Sequence, residues 1–283
     1  MVEFVSLTHA GQPVSIECQW LNREREHAPL LVFLHEGLGS VSMWRDYPQT
    51  LCDAAGCRGL VYSRPGYGRS TPRAPEARWQ PDYLHIQSWQ VLPALLDALG
   101  VDAPCWLFGH SDGGSMALLF AARFAERTAG IITLAPHIFV EEITVAGIAA
   151  AREAYLAGGL RQGLARHHAD PDSPFWGWNH AWLNPAFRQW NLEADIVGIR
   201  CPVLAIQGEG DEYASMAQID GIQRIVPHTQ LLKLADCGHS PHRDQAAAVT
   251  EATLALLRQT LPSPPVARAA SHGLAEHMAE RRG

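Results

Sequence analysis

Apolar positions along the chain follow two rhythms, and their alternation predicts most of the architecture. Val2 to His9 (VEFVSLTH) and Val14 to Trp20 show the two-residue period of half-covered strands, and Gly11-Gln12-Pro13 between them is a turn signal. Together they predict an antiparallel hairpin at one sheet edge. Leu30 to Leu34 (LLVFL) is instead a continuous apolar run, the pattern of a strand covered on both faces, and it leads through a glycine-rich turn into a helical stretch from Met43 to Ala55. Strand and helix signals then alternate: a strand from Gly59 to Tyr62, a helix from about Pro81 to Leu99, a strand at 104–109, a helix after Ser111 and a strand from Ile131 to Leu134. Such alternation requires crossover connections and a mainly parallel sheet.

The rhythm breaks between about Pro136 and Ile199. Helical patches such as Val145 to Leu156 are followed by Pro171-Asp172-Ser173-Pro174 and then by Phe175, Trp176, Trp178, Trp182, Phe187 and Trp190, a large share of the chain's 9 tryptophans. Bulky residues of this kind dock a small helical lid on a sheet domain, and collectively they form an apolar ligand pocket. The pattern predicts a helical cap at 137–199 inserted into a core made of 1–136 and 200–261, with Trp176, Trp178 and Trp182 as candidate substrate contacts. Pro202 to Ile206 and Leu231 to Leu234 read as the last two strands, and Ala246 to Leu257 as the closing helix. Residues 262–283, opening with Pro262-Ser263-Pro264-Pro265, read as a peripheral or partly mobile extension.

Composition narrows the class of partner. With 283 residues, 47% of them hydrophobic, the chain can bury a full core as one large domain carrying an insertion. A formal charge of -7 without a long run of Lys or Arg argues against nucleic acid or anionic membrane, so a small-molecule substrate is expected. Met1 to His9 lacks the basic start and apolar run of a signal peptide, and no later stretch is long and apolar enough to span a bilayer, which predicts a cytoplasmic protein. Of the 6 cysteines, Cys18, Cys105 and Cys201 fall in or beside predicted core strands, and reduced thiols are expected. Cys237-x-His239-x-x-His242 has the spacing of a partial metal site, but no further cluster completes it, so neither a metal nor another cofactor is expected.

The candidate chemistry sits on the turns that follow strands. Gly109-His110-Ser111-Asp112-Gly113-Gly114 places a serine in Gly-x-Ser-x-Gly between a predicted strand and a predicted helix, and glycines there let strand and helix approach closely. A serine hydroxyl is a weak nucleophile near neutral pH and needs a base and a group that orients the base. Asp211, after the strand Pro202 to Ile206, and His239, after the last strand, supply both in the order Ser, Asp, His. Glu209, Glu212 and Asp236 compete with Asp211, which ranks first because it lies a short turn beyond its strand. Leu34-His35-Glu36-Gly37-Leu38-Gly39 follows the first parallel strand and can aim a backbone N–H at a developing oxyanion, which nominates Gly37 together with the N–H of Asp112. His35 reads as a residue that organises this loop. His110, adjacent to the serine, is a candidate substrate contact for which a structural role is favoured.

In the order oxyanion loop, elbow, helical cap, acid and histidine, these residues resemble the α/β-hydrolase superfamily over nearly the whole chain. The resemblance implies an α/β-hydrolase fold, a mostly parallel sheet covered on both faces, and a cofactor-independent serine hydrolase. Tyr62-Ser63-Arg64-Pro65-Gly66-Tyr67-Gly68-Arg69-Ser70 looks like the glycine-containing loop that follows the next strand in such enzymes. Glu36 replaces the first glycine of the frequent His-Gly-Gly-x-Gly form, which argues against the proline iminopeptidases. Ser-Asp-Gly-Gly at 111–114 is similar to the elbow of biphenyl-hydrolase-like amino-ester hydrolases, and that likeness implies Asp112, aided by Glu36, as a site for a substrate ammonium. Ser111 argues against haloalkane dehalogenases and epoxide hydrolases, whose nucleophile is aspartate. The expected reaction is cleavage of a small or medium-sized carboxylic ester, thioester or amide with an apolar or aromatic portion. Carbon-carbon hydrolysis of meta-cleavage products and a receptor-like ligand-binding role stand as alternatives.

Overall fold

The computed structural model describes residues 2–260. The eight strands are β1 (Val2–His9), β2 (Gln12–Leu21), β3 (Leu30–Leu34), β4 (Arg58–Tyr62), β5 (Cys105–His110), β6 (Thr128–Leu134), β7 (Val203–Gly208) and β8 (Gln230–Leu234). They form one sheet in the order β1-β2-β4-β3-β5-β6-β7-β8. The β1-β2 hairpin is antiparallel, β2 runs antiparallel to β4, and every later pairing is parallel. Burial follows the predicted split. β1 alternates exposed and half-buried residues, whereas β3, β5 and β7 are buried throughout, as two-sided coverage requires.

The principal helices are α1 (Tyr47–Ala55), α2 (Tyr83–Ile86), α3 (Leu92–Ala98), α4 (Asp112–Arg123), α5 (Glu142–Leu156), α6 (Gly159–Leu164), α7 (Asp172–Trp182), α8 (Ala217–Ile225), α9 (Pro241–Asp244) and α10 (Ala246–Thr260). Two hydrophobic layers flank the sheet. One joins α3, α4 and the residues of α7 to one face, and the other packs α1 and α10 on the opposite face through Leu51, Val249 and Leu256. The stretch expected as one helix from 43 to 55 divides into a 3-10 turn at Val41–Trp44 and α1, because Arg45 takes a positive φ of 55° between them. The helix expected at 81–99 runs as α2, a π-turn at Gln87–Val91 and α3. Pro93 lacks the N–H that an unbroken helix would use there. Helices α6 and α7 fall in the span expected as a helical cap without having been placed one by one, and α8 and α9 had no expectation as helices.

Between β6 and β7 the chain carries α5, α6 and α7 and adds no strand to the sheet. Its two ends meet at a narrow neck, where Phe139 and Asn191 form an isolated bridge and the N–H of Leu192 donates to the Ile138 carbonyl at 2.7 Å. The extension expected at 262–283 lies outside the described residues.

Candidate active site

Ser111 occupies the turn between β5 and α4 with φ 52° and ψ -118°, a conformation costly for a residue with a Cβ. Neighbouring glycines make the turn sterically feasible. A Cβ on Gly109 would overlap the Gly113 carbonyl, one on Gly113 would overlap the Leu34 carbonyl, and one on Gly114 would overlap the Thr133 hydroxyl. The backbone ladder also continues past the strand ends: Ser111 N–H donates to Leu134 O, Ala135 N–H to Ile206 O and Glu209 N–H to Leu234 O, each at 2.8 Å. The loops after β5, β6, β7 and β8 therefore leave the sheet at one carboxyl edge, where ligands bind in open parallel sheets.

At that edge three side chains form one hydrogen-bonded chain. The Ser111 Oγ lies 2.9 Å from His239 Nε2, and His239 Nδ1 lies 2.8 Å from Asp211 Oδ1. With Nδ1–H donating to the Asp211 carboxylate, Nε2 is the acceptor for the serine hydroxyl. Asp211 is held in turn by the Tyr213 N–H at 2.8 Å, the Ala214 N–H at 3.2 Å and Gln207 Nε2 at 3.2 Å. Burial works against the Asp211 charge, but its bond to His239 and these donors bring its pKa below the usual value. The His239 pKa is raised: burial opposes protonation, and the Asp211 carboxylate, with Glu36 and Glu212, outweighs it.

The competing acids take other places. Glu212 Oε2 accepts the His239 N–H at 3.1 Å, so it holds the backbone and leaves the ring to Asp211. Asp236 sits at a positive φ of 50° in the turn after β8, and Glu209 is exposed.

A cavity of about 80 Å³ adjoins Ser111 and is lined by Glu36, Gly37, Asp112, His137, Trp178 and Trp182, with Leu38, Thr144, Ile148, Tyr213 and His239. The N–H groups of Gly37 and Asp112 have no acceptor among the described residues. Gly37 tolerates no side chain, since a Cβ there would overlap the indole of Trp178. Trp178 and Trp182 lie four residues apart on α7 and so share a face, which is the face turned to the cavity. Trp176 does not. It points to the opposite side of α7, stacks on His180, carries Arg152 over its ring and lines a separate surface groove with Arg73 and Arg78.

His110 is also absent from the cavity wall. Its Nε2–H donates to the His239 carbonyl at 2.7 Å and its ring packs on His242, so it braces the histidine loop from behind. Burial pushes its pKa down to about 4, which keeps the ring neutral. Cys237, His239 and His242 do not converge: His239 is engaged by Ser111 and Asp211, while His242 packs against Trp44.

The Asp112 carboxylate faces protein partners. Its Oδ2 accepts from Tyr83 OH at 2.7 Å, and Trp182 Nε1–H donates to that same phenol oxygen at 2.9 Å. Arg64 Nη1 lies 3.4 Å from Oδ2, both side chains being 1% exposed, so a buried cation balances the charge. Burial raises the Asp112 pKa, with Arg64 and Tyr83 opposing. Glu36 keeps its side chain at the cavity edge, 3.9 Å from Arg243.

Arg64, Tyr83, His137 and Tyr213 belong to this neighbourhood and were missed as site residues. Arg64 and His137 each lie just beyond the carboxyl end of a parallel strand, β4 and β6, which is the positional signal that would have found them. Tyr83 and Tyr213 carry no such signal.

The chain is similar in sequence and in fold to known hydrolases. The chain is 24% identical over 264 residues to the sn-1-specific diacylglycerol lipase ABHD11 of Mus musculus, covering 81% of each. It is 30% identical over 108 residues to a 2-hydroxy-6-oxo-6-phenylhexa-2,4-dienoate hydrolase of Burkholderia cepacia, a match to 38% of this chain and about a third (36%) of that protein's length. Among solved structures, a thermophilic esterase from Thermogutta terrifontis superposes with a TM-score of 0.70 at 19% identity, over 92% of this chain and 99% of that one. The enol-lactonase from Burkholderia xenovorans LB400 superposes with a TM-score of 0.69 at 21% identity, over 89% and 99%. The model of the Alpha/beta hydrolase family matches residues 31–252, a span that runs from β3 through the serine turn and the inserted helices into α10, and the chain belongs to that family.

Proposed function

We propose that this hydrolase cleaves a small carboxylic ester, thioester or amide through an acyl-enzyme on Ser111, with residues 137–199 acting as a cap over the acyl group. The observation that carries this reading is the unbroken hydrogen-bonded chain from Asp211 through His239 to the Ser111 hydroxyl at a positive-φ turn. Ser111 Oγ attacks the carbonyl carbon while its proton passes to His239 Nε2, and the carbonyl electrons move onto the oxygen. The N–H groups of Gly37 and Asp112 receive that oxyanion. Collapse of the intermediate expels the alcohol, thiol or amine, which takes the proton from His239. Water then attacks the acyl group by the same route, returning Ser111 and releasing the acid. Asp211 holds the productive tautomer throughout and stabilises the protonated ring. At about 80 Å³ the cavity suits a short acyl chain and lies well below the roughly 300 Å³ at which drug-sized pockets begin.

A second reading, hydrolysis of a carbon-carbon bond in a ring-cleavage diketone, is favoured by the 30% identity to the Burkholderia cepacia hydrolase. One experiment separates the two. Purified protein is mixed with a panel of p-nitrophenyl esters of increasing acyl length, amino esters, thioesters and ring-cleavage diketones, with pre-steady-state detection and fluorophosphonate labelling. A burst with short esters and a single label on the Ser111 peptide support acyl transfer. Turnover of diketones alone would transfer the conclusion to the second reading, and a label elsewhere would remove Ser111 from either.

A further inference from the structure

One buried guanidinium touches both halves of the oxyanion site. Arg64 follows β4, is 1% exposed, and lies behind the loop that carries Gly37. Its Nη2 donates to the Glu36 carbonyl at 2.7 Å, and His35 Nδ1 lies at 2.7 Å from the same oxygen. The carbonyl of Glu36 and the N–H of Gly37 belong to one planar peptide unit, so fixing the oxygen on one side fixes the direction of the N–H on the other. A charged donor on that oxygen also draws electron density from the amide and makes its N–H a better donor. The same guanidinium reaches Asp112 Oδ2 through Nη1 at 3.4 Å and Nη2 at 3.5 Å, and Asp112 supplies the second N–H. Tyr67 closes the pocket, its ring centroid 4.3 Å from the guanidinium carbon. The Arg64 N–H donates to His35 Nε2 at 3.1 Å, which leaves the His35 proton on Nδ1, facing the Glu36 carbonyl.

We infer that Arg64 is a positioning residue for the oxyanion hole, acting through the Glu36–Gly37 peptide and the Asp112 carboxylate without touching substrate. The inference rests on the acyl-transfer reading, and it separates two effects that a general loss of folding would merge. A strut behind the oxyanion donors matters once the carbonyl oxygen carries charge, so its removal lowers kcat and spares KM.

The test compares wild type, Arg64→Lys, Arg64→Ala and Ser111→Ala, using a short p-nitrophenyl ester and an aryl trifluoromethyl ketone. The ketone adds the Ser111 hydroxyl and places a negative oxygen in the hole. Arg64→Lys, which keeps the charge but loses the two-sided fork, is expected to lower kcat roughly 10- to 100-fold, with KM within about threefold and ketone affinity falling in step with kcat. Added guanidinium salt is expected to restore part of the Arg64→Ala activity at concentrations that leave wild type unchanged. Equal ketone affinity in wild type and Arg64→Lys, or a change confined to KM or thermal stability, would overturn the inference. Should both variants fail to fold, the ketone-bound and free wild type are compared by NMR at the Arg64 Nε–H, and an unmoved signal counts against the strut. Absence of a covalent ketone adduct in wild type, or undiminished ester turnover by Ser111→Ala, would bring down the acyl-transfer reading and this inference with it.

Discussion

The turns at the carboxyl edge of the sheet and the inserted helices differ in how much of their packing is backbone and how much is aromatic ring. Each turn is pinned by backbone groups at close quarters: the ladder bonds beyond β5, β6 and β7, the glycine contacts around Ser111, and the backbone donors on Asp211. Within the inserted segment rings pack on one another, and hydrogen bonds such as Ser173 Oγ–H to Gly66 O and Gly68 N–H to His168 Nδ1, each at 2.8 Å, tie it to the core. Phe187 stacks on Trp190 at 5.2 Å, Tyr155 on Phe175 at 3.6 Å, and Trp182 meets Phe187 at 4.6 Å. Hydrogen bonds are directional and fail over a few tenths of an ångström, whereas ring packing tolerates sliding and substitution by other apolar groups. Ser111, His239 and Asp211 therefore sit where backbone geometry is strictly set, and the tryptophans of the cavity wall sit where packing can be altered.

The largest expected effect tests the strict side. Ser111→Ala should lower turnover by about 10⁶-fold while leaving the circular dichroism and unfolding midpoint near those of wild type. Retained turnover would place the nucleophile outside the turn. Asp211→Asn should cost about 10⁴-fold in kcat, because the amide favours the wrong imidazole tautomer. It should also move the acidic limb of the kcat/KM profile to lower pH, since Asp211 is what raises the His239 pKa and the base works only when neutral. An unmoved limb would assign the orienting role to Glu212.

Acid should act on the scaffold as well. Burial lowers the pKa of His110, His137 and His168 to about 4 and that of His242 to about 2, against 6.5 for an unhindered ring. Below pH 6.5 the unfolded chain binds protons that the folded chain refuses, so stability falls as pH drops toward 4. Each of these rings should contribute about 1.4 kcal/mol per pH unit in that window, readable as a falling urea midpoint. A flat midpoint between pH 6.5 and 4 would mean the rings are wet. The smallest effect belongs to the wall. Trp178→Ala should leave kcat for a short ester within about tenfold while admitting longer acyl chains, because it enlarges the cavity and leaves the hydrogen-bonded chain intact. A loss as severe as that of Asp211→Asn would erase the distinction between the two regions.

The same division explains which features were legible in the chain. β3 was read at its observed bounds, and the hairpin, the parallel alternation and the Ser, Asp, His spacing were all visible. Local spacing and two-sided burial write themselves into short runs of sequence. The side of α7 that meets the cavity was not legible. Trp176, Trp178 and Trp182 look alike in composition, and only the helical phase separates the first from the other two. For His110 a structural role was favoured over substrate contact, since adjacency to the serine says nothing about which way a ring turns, and the ring bonds the His239 carbonyl. Arg64 was hidden by its charge, because a fully buried arginine runs against composition and is recognisable only once its acceptors are assembled around it.

Because the inserted segment contributes no strand, its residues can be exchanged, lengthened or shortened without shifting the register of any ladder. Variation there can then change the cavity wall while the turns at the sheet edge stay in place. For an engineer, the narrow neck at Phe139 and Asn191 marks a splice point at which other helices could be grafted onto an intact sheet.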